Sequence, residues 1–420
     1  MSVSITILDN GMTVVSEDMP HLRSAALGLW VDCGARDEAA HQHGISHLLE
    51  HMAFKGTHDR SARQIAEEIE AVGGELNAST SVETTGYYAR VLSDHVGLGL
   101  DILSDILLNA TFDPDELKRE QMVILQEIGA AHDTPDDQVF DLFQETAYPE
   151  QPIGRPILGT RETVPSFSEA DLRSYLLDNY AGERIVLAAA GRVNHDDLVR
   201  LAQERLQAFP TKSETQSPKA VYQGGEARLE RDLQEVNILL GFEGCSYHSD
   251  DYFTAQILAA TLGGGMSSRL FQEVREERGL CYAIYAFHWG YEDSGVFAIH
   301  AATGEETLDE LFPVIIDQLK DMSEHVTDDE VDRAKAQIKA SLLMAMESPA
   351  ARAGQLARQL MVYGRARPPE ELVTLIDAVT PASVAQLLKR MITHSMPTLA
   401  SVGPISRVPS VEEIRSRLTS

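Results

Sequence analysis

Two histidines and a glutamate stand close together in Gly44-Ile45-Ser46-His47-Leu48-Leu49-Glu50-His51-Met52-Ala53-Phe54-Lys55-Gly56-Thr57. On a helix, residues four apart lie one turn apart on the same face, so His47 and His51 can direct two imidazoles at one metal ion. Glu50, three residues after His47, projects from nearly that face. It can reach a water on the metal without being a ligand, which is where a general base has to sit. Leu48 and Leu49 remain for the opposite face and a core. Two imidazoles do not complete such a site, because a catalytic zinc takes three protein ligands and keeps a fourth position open. A third donor must come from elsewhere in the chain.

Carboxylates suited to that task occur in Arg119-Glu120-Gln121-Met122-Val123-Ile124-Leu125-Gln126-Glu127-Ile128. Glu120 and Glu127 are seven residues apart and share one helical face, two turns from each other. Val123, Ile124 and Ile128 surround them, so this helix is at least partly buried, and a carboxylate drawn into such a place needs a cation. The chain has 14 histidines, so a chance match is conceivable, and most helical glutamates are simply solvated. The assignment therefore turns on the elements that hold these residues.

Residues 3–8 alternate as a strand does, Asp9-Asn10-Gly11 supplies a turn, and Met12-Thr13-Val14-Val15 returns as the second arm of a hairpin. Residues 25–31 form a third strand, then come the histidine-bearing helix and a helix over Ser61–Val72, ended by Gly73-Gly74. Residues 75–91, rich in Thr, Val and Tyr, are extended. Residues 96–108 have helical periodicity, and Asp113-Pro114-Asp115 opens a long helix that carries Glu120 and Glu127. Residues 183–207 read as strand then helix. The polar, breaker-rich run from Pro210 to Lys219, followed by Gly224-Gly225, is a linker.

Beyond the linker the pattern repeats. Asp113-Pro114-Asp115-Glu116-Leu117-Lys118-Arg119 resembles Thr327-Asp328-Asp329-Glu330-Val331-Asp332-Arg333 at an offset of 214. Leu187-Ala188-Ala189-Ala190-Gly191-Arg192-Val193 resembles Leu399-Ala400-Ser401-Val402-Gly403-Pro404-Ile405 at an offset of 212. Such agreement points to a duplicated unit. The expected fold is α+β: two duplicated domains, each an antiparallel-rich mixed sheet with helices packed on it. The domains are residues 1–209 and 226–420, with 210–225 between them. The second copy has lost the metal chemistry, since Glu127 falls on Ser341 and no histidine lies between His248 and His288.

A hydrophobic content of 43% and 24% charged residues are ordinary for a globular chain, whereas the net charge of −30 argues against a nucleic-acid partner. It is compatible with cationic peptides. Cys33, Cys245 and Cys281 have no metal or redox spacing, which fits buried thiols in a reducing compartment. No apolar run approaches the roughly 20 residues that span a bilayer. The expectation is a cytoplasmic protein without a membrane partner. Gly263-Gly264-Gly265 lacks the lysine of a phosphate-binding loop and is expected to be a turn connecting helices. His41 and His43 belong to a loop.

The His47–His51 motif, the spacing to Glu127 and the duplicated halves together resemble the pitrilysin/insulysin family of zinc metallopeptidases. The likeness is strongest to the branch of the mitochondrial processing peptidase and its bacterial relatives, and it covers essentially the whole chain. It implies one zinc per chain held by His47, His51 and Glu127, with Glu120 as a supporting carboxylate and Glu50 as the base. The segment Phe271-Gln272-Glu273-Val274-Arg275-Glu276-Glu277-Arg278-Gly279-Leu280-Cys281-Tyr282 resembles the family's segment with an Arg and a Tyr seven apart. The resemblance thereby gives Arg275 and Tyr282 the task of binding a peptide carbonyl and its developing oxyanion. Gly279 ends the helix carrying Arg275, and Tyr282 starts a strand.

Asn77-Ala78-Ser79-Thr80 resembles the strand on which the family lays its substrate, with Asn77, Ala78 and Ser79 contacting an extended peptide. The implied activity is an endopeptidase acting on unstructured peptides in a chamber made by two copies of the chain. A homodimer is economical because both the zinc set and the Arg/Tyr pair are present in one sequence. The family's non-catalytic forms, a scaffold or a peptide-binding subunit, are the alternative, and the intact His47, Glu50, His51 and Glu127 speak against them.

Overall fold

The computed structural model describes residues 3–420; Met1 and Ser2, at the head of the first alternating run, lie outside the described residues. In the first half, β1 (Val3–Ile7) and β2 (Thr13–Asp18) form the expected hairpin, and β3 (Ser24–Val31) follows. The histidines lie on α1 (Ile45–Ala53), and α2 (Ala62–Ala71) comes next, with Ser61 accepting the Gln64 N–H as its cap. The extended stretch is a second hairpin, β4 (Glu75–Thr80) and β5 (Thr85–Leu92). Then come α3 (Val96–Leu108), α4 (Pro114–Asp133), α5 (Pro135–Ala147), α6 (Glu169–Asn179), β6 (Ile185–Gly191) and α7 (His195–Arg205). Asp113 opens α4 by accepting the N–H groups of Asp115 and Glu116, and Pro114 needs no partner in the first turn.

The second half contains β7 (Gly225–Glu230), β8 (Val236–Glu243), α8 (Tyr252–Gly263), β9 (Cys281–Gly290) and β10 (Gly295–Thr303). Gly263 is the last residue of α8, and Gly264-Gly265 begin the connection that leads into a π-helical turn over Phe271–Glu276. Then follow α9 (Leu308–Met322), α10 (Asp328–Ala345), α11 (Pro349–Tyr363), α12 (Pro369–Asp377), α13 (Pro381–His394), β11 (Thr398–Gly403) and α14 (Val411–Thr419). Among the described residues no single helix is long and apolar enough to cross a membrane.

The two sheets repeat one topology. The first has the order β1-β2-β6-β3-β5-β4 and the second β7-β11-β8-β10-β9. Leaving out β1, each runs first, fifth, second, fourth, third in chain order. In each, the first and fifth strands are parallel and all other pairs are antiparallel. The α+β expectation, with antiparallel-rich mixed sheets, is thus met. The repeat extends to backbone detail: β6 and β11 end on Gly191 and Gly403, with φ of 108° and 130°. A Cβ at either would come within 2.5 Å of the Ser24 carbonyl oxygen or 2.4 Å of that of Glu235, so glycine is needed twice.

The chain divides into two compact units whose composition departs from a linear division. One comprises Met1–Gly129, Arg155–Pro218 and Leu343–Arg367; the other comprises Ala130–Gly154, Lys219–Leu342 and Pro368–Ser420. The boundary at Pro218 falls inside the expected 210–225 linker, but the expected domains 1–209 and 226–420 need correction in one respect. Each half gives a helix to the other's unit: α5 belongs with β7–β11, and α11 with β1–β6.

The reason is apolar area. β6, Ile-Val-Leu-Ala-Ala-Ala-Gly, is buried along its whole length because both faces of its sheet are covered. On one face α1, α3 and α6 contribute to the main core, and on the other Leu356, Ala357 and Leu360 of α11 pack on Val15, Val186 and Ala188. Arg352 of α11 meets Glu17 of β2 at 2.5 Å, both side chains only 3% exposed. Breaking such a pair by removing one partner costs about 3–5 kcal/mol. In the other unit α5 buries Val139 and Phe143, and Gly241 of β8 leaves room for the Phe143 ring, 2.6 Å from where a Cβ would lie.

Candidate metal centre

α1 buries Ile45, Leu48, Leu49 and Met52, which fixes the face on which the histidines emerge. Its N-terminus begins at Gly44, in the left-handed region, which has no side chain with which to cap the helix. Glu38 does so instead: its two oxygens accept the Gly44 and Ser46 N–H groups at 2.8 and 2.9 Å. Burial drives the Glu38 carboxyl up to about 7 despite these bonds. The Ser46 hydroxyl is 2.7 Å from the Tyr175 hydroxyl, itself 3.1 Å from Cys33 Sγ. A buried polar network thus anchors the turn that leads to His47.

The His47 and His51 rings are 4.6 Å apart and edge to face. Across from them α4 brings Glu127, whose Oε2 lies 3.9 Å from His47 Nε2 and 3.8 Å from His51 Nε2. Among the described residues these three form one group able to hold a metal ion, with their ligand atoms within 4.8 Å of one another. Glu127 Oε2 is buried without a hydrogen-bond partner, as is His47 Nδ1. Buried polar atoms are normally satisfied, so an unpartnered carboxylate oxygen facing two imidazole nitrogens marks a place for a cation. Two nitrogens and one oxygen are a donor set zinc accepts, so these residues fit that ion. Burial, reinforced by His51, lowers the His47 pKa to about 4, leaving a neutral imidazole of the kind metal binding requires.

Glu120, two turns before Glu127, is buried and touches His51 from behind: its Oε2 is 3.0 Å from His51 Nδ1. A proton on Nδ1 leaves Nε2 as the lone pair toward Glu127. The other Glu120 oxygen takes the Lys55 ammonium at 2.7 Å. Burial would raise the Glu120 carboxyl, but the Lys55 and His51 contacts outweigh it and hold the pKa below its ordinary value. Lys55 stands at the end of the opening motif yet was not among the residues singled out from sequence. Nor was Thr80 as a partner of the base: its hydroxyl donates to Glu50 Oε2 at 2.5 Å. Burial pushes the Glu50 pKa up, against the pull of that bond, and the Glu127 charge adds to the rise.

Asn77, Ala78 and Ser79 lie on β4, which pairs with β5 and ends the sheet order. Asn77 and Ser79 are exposed, while Ala78 packs against the core. Arg275 and Tyr282 belong to the other unit and meet there: the guanidinium carbon lies 5.1 Å from the Tyr282 ring centre and 4.6 Å from that of Phe271. Tyr282 is 80% exposed, so its phenol is available to a ligand. Gly279, with φ of 63°, makes the expected break between them. His43 is a loop residue whose Nε2 donates to the Pro156 carbonyl at 2.7 Å, and neither it nor His41 joins the metal group.

Comparison with known proteins adds an independent line. A model described as Insulinase (Peptidase family M16) matches residues 13–161, and one described as Peptidase M16 inactive domain matches residues 166–338. An uncharacterized zinc protease of Rickettsia bellii is 39% identical over 402 residues, 96% of this chain and 97% of that protein. A probable mitochondrial-processing peptidase subunit beta of Arabidopsis thaliana is 35% identical over 428 residues, 98% of this chain and 80% of that protein. The crystal structure of a protease from Helicobacter pylori shares the fold, with a TM-score of 0.90 at 21% identity, covering 96% of this chain and 99% of that one.

Proposed function

Because the chain belongs to peptidase family M16, the insulinase family, we propose that it is a zinc-dependent endopeptidase that hydrolyses extended, unstructured peptides. The observation that carries this is the meeting of His47 Nε2, His51 Nε2 and an unpartnered Glu127 Oε2 next to Glu50. Zinc held by these three residues, one per chain, would supply Lewis acidity and a more acidic water. Glu50 takes a proton from the attacking water on the carboxylate oxygen that Thr80 leaves free, then returns it to the departing amine. Glu120 fixes the ring of His51, and Lys55 keeps Glu120 ionised. Arg275 and Tyr282 grip the substrate carbonyl and stabilise the negative charge that grows on it.

The substrate lies along β4, adding itself as a strand beside Asn77, Ala78 and Ser79. Such binding relies on main chain, so sequence preference is weak. Cationic peptides are favoured. Supporting this are the −30 charge and an acidic row on α5, where Asp137, Asp141 and Glu145 stand at four-residue spacing. Burial, with Glu145 and Asp137 nearby, raises the Asp141 pKa to about 6, as expected of a carboxyl short of a cation.

The working form is a homodimer in which one chain's Arg275 and Tyr282 complete its partner's zinc site. Possession of both sets by one sequence supports this. Cys33, Cys245 and Cys281 are buried and unpaired, which supports a cytoplasmic location.

The test is degradation of a panel of unstructured peptides with and without a chelator, comparing the parent with Glu50→Gln. The parent should cleave and carry about one zinc. Glu50→Gln should keep the metal and lose about 10²–10⁴-fold in turnover, and His51→Ala should lose both. A parent that takes up no zinc and cleaves nothing would overturn the proposal.

A further inference from the structure

The geometry points to Thr80 as the positioning residue for the Glu50 carboxylate, one that ties the base to the strand on which the substrate is laid. The inference rests on the zinc-peptidase proposal above. Along β4 the side chains alternate: Leu76 and Ala78 pack against the core, whereas Glu75, Asn77 and Ser79 are exposed. Thr80, the last residue of β4, shares the inward parity of Leu76 and Ala78 and meets Glu50 of α1. Among the described residues Thr80 is the only hydrogen-bond partner of that carboxylate, its hydroxyl donating to Oε2.

The need for such a partner follows from the side chain. A glutamate has three rotatable bonds and roughly 1.5–2 kcal/mol of rotamer freedom to lose. A general base has to stand within about 3 Å of the proton it takes, and a misplacement of about 1 Å can cost 10²-fold in rate. Thr80 meets that need from a rigid place. It is β-branched, with a restricted χ1, and its backbone is held in register opposite Thr85. One Glu50 oxygen is thereby engaged and the other is left for the proton. β4 has a paired neighbour on one side only, so the free edge that would receive a peptide and the hydroxyl that aims the base belong to one strand. A peptide added there stiffens the strand that holds Glu50.

Thr80→Val keeps the shape and removes the hydroxyl; Thr80→Ser keeps the hydroxyl. Three chains, the parent and these two variants, are to be compared on one unstructured peptide, with zinc content and melting temperature measured alongside. Peptide affinity is to be measured on Glu50→Gln with and without Thr80→Val. The expected result is a kcat lowered about 10–100-fold in Thr80→Val, with KM within about threefold, full zinc and an unchanged melting temperature. Thr80→Ser should recover most of kcat, and peptide affinity should not differ between the two Glu50→Gln chains. Parental kcat in Thr80→Val, a loss confined to KM or zinc, or no recovery in Thr80→Ser would overturn the assignment while leaving the peptidase proposal intact. A parent that cleaves nothing would remove both.

Discussion

Glu120 holds the back of the His51 ring at 3.0 Å, so the imidazole that faces Glu127 on one side is oriented from the other. A carboxylate in this place makes its partner a better donor and fixes which nitrogen is free. Glu120→Gln should therefore lower zinc affinity about 10–100-fold without unfolding the chain. Lys55→Met, which takes away the cation that keeps Glu120 ionised, should act in the same direction. Competition with a chelator of known affinity measures both, and parental affinity in Glu120→Gln would remove the role.

In the second half, Glu330 receives Arg269 on both oxygens, at 2.5 and 3.0 Å. Burial favours the neutral acid, but Arg269 and the Thr327 N–H and hydroxyl prevail and bring the pKa from 4.5 down to about 2. A carboxylate so depressed contributes stability that is fully present above pH 4.5 and disappears as pH falls toward 2. Glu330→Gln should be less stable than the parent at neutral pH, by on the order of 2 kcal/mol. The difference should shrink across that acid range. Urea unfolding at pH 7, 4 and 2.5 would reveal it, and a constant difference would mean the pair contributes no linkage.

Cleavage of cationic peptides should slow as sodium chloride rises from about 0.05 M to about 0.5 M, since the Debye length falls from roughly 14 to 4 Å. Asp141→Asn should weaken that dependence. Equal rates for acidic and basic peptides of one length at low salt would show that the negative charge serves solubility alone.

Complementation tests the homodimer. Chains carrying Arg275→Ala with Tyr282→Phe, and chains carrying Glu50→Gln, should each be nearly inactive. If the pair acts across chains, mixing them should restore up to about a quarter of parental activity, because half the dimers are mixed and each contains one complete site. No recovery, with subunit exchange demonstrated by labelled chains, would place the pair in its own chain's site or outside catalysis.

What could be read from the chain depended on how local the geometry was. His47, Glu50 and His51 share nine residues of helix, so their spacing alone predicts a common face. Glu127 is 76 residues further on, and only the likeness to a known family tied it to the histidines. The duplication was legible in two short matches because the repeated caps and strand ends perform the same steric task at Gly191 and Gly403.

The transfer of α5 and α11 between units could not be read: an apolar stripe such as Val139 and Phe143 specifies that a helix is covered, not by which sheet. Thr80 escaped notice as a partner of Glu50 for a similar reason. Its hydroxyl matters only through how closely β4 approaches α1, a distance no pattern of residue types encodes.

The exchanged helices also carry a record of ancestry. Two copies of one topology that each complete the other's sheet with a helix are what results when a gene for a single unit is duplicated after its product already paired by swapping that helix. A chain cut at Pro218 would lack α11 and bare the strip of Val15, Val186 and Ala188. Holding both halves in one chain makes intramolecular, and so independent of concentration, a pairing that separate halves could make only by associating.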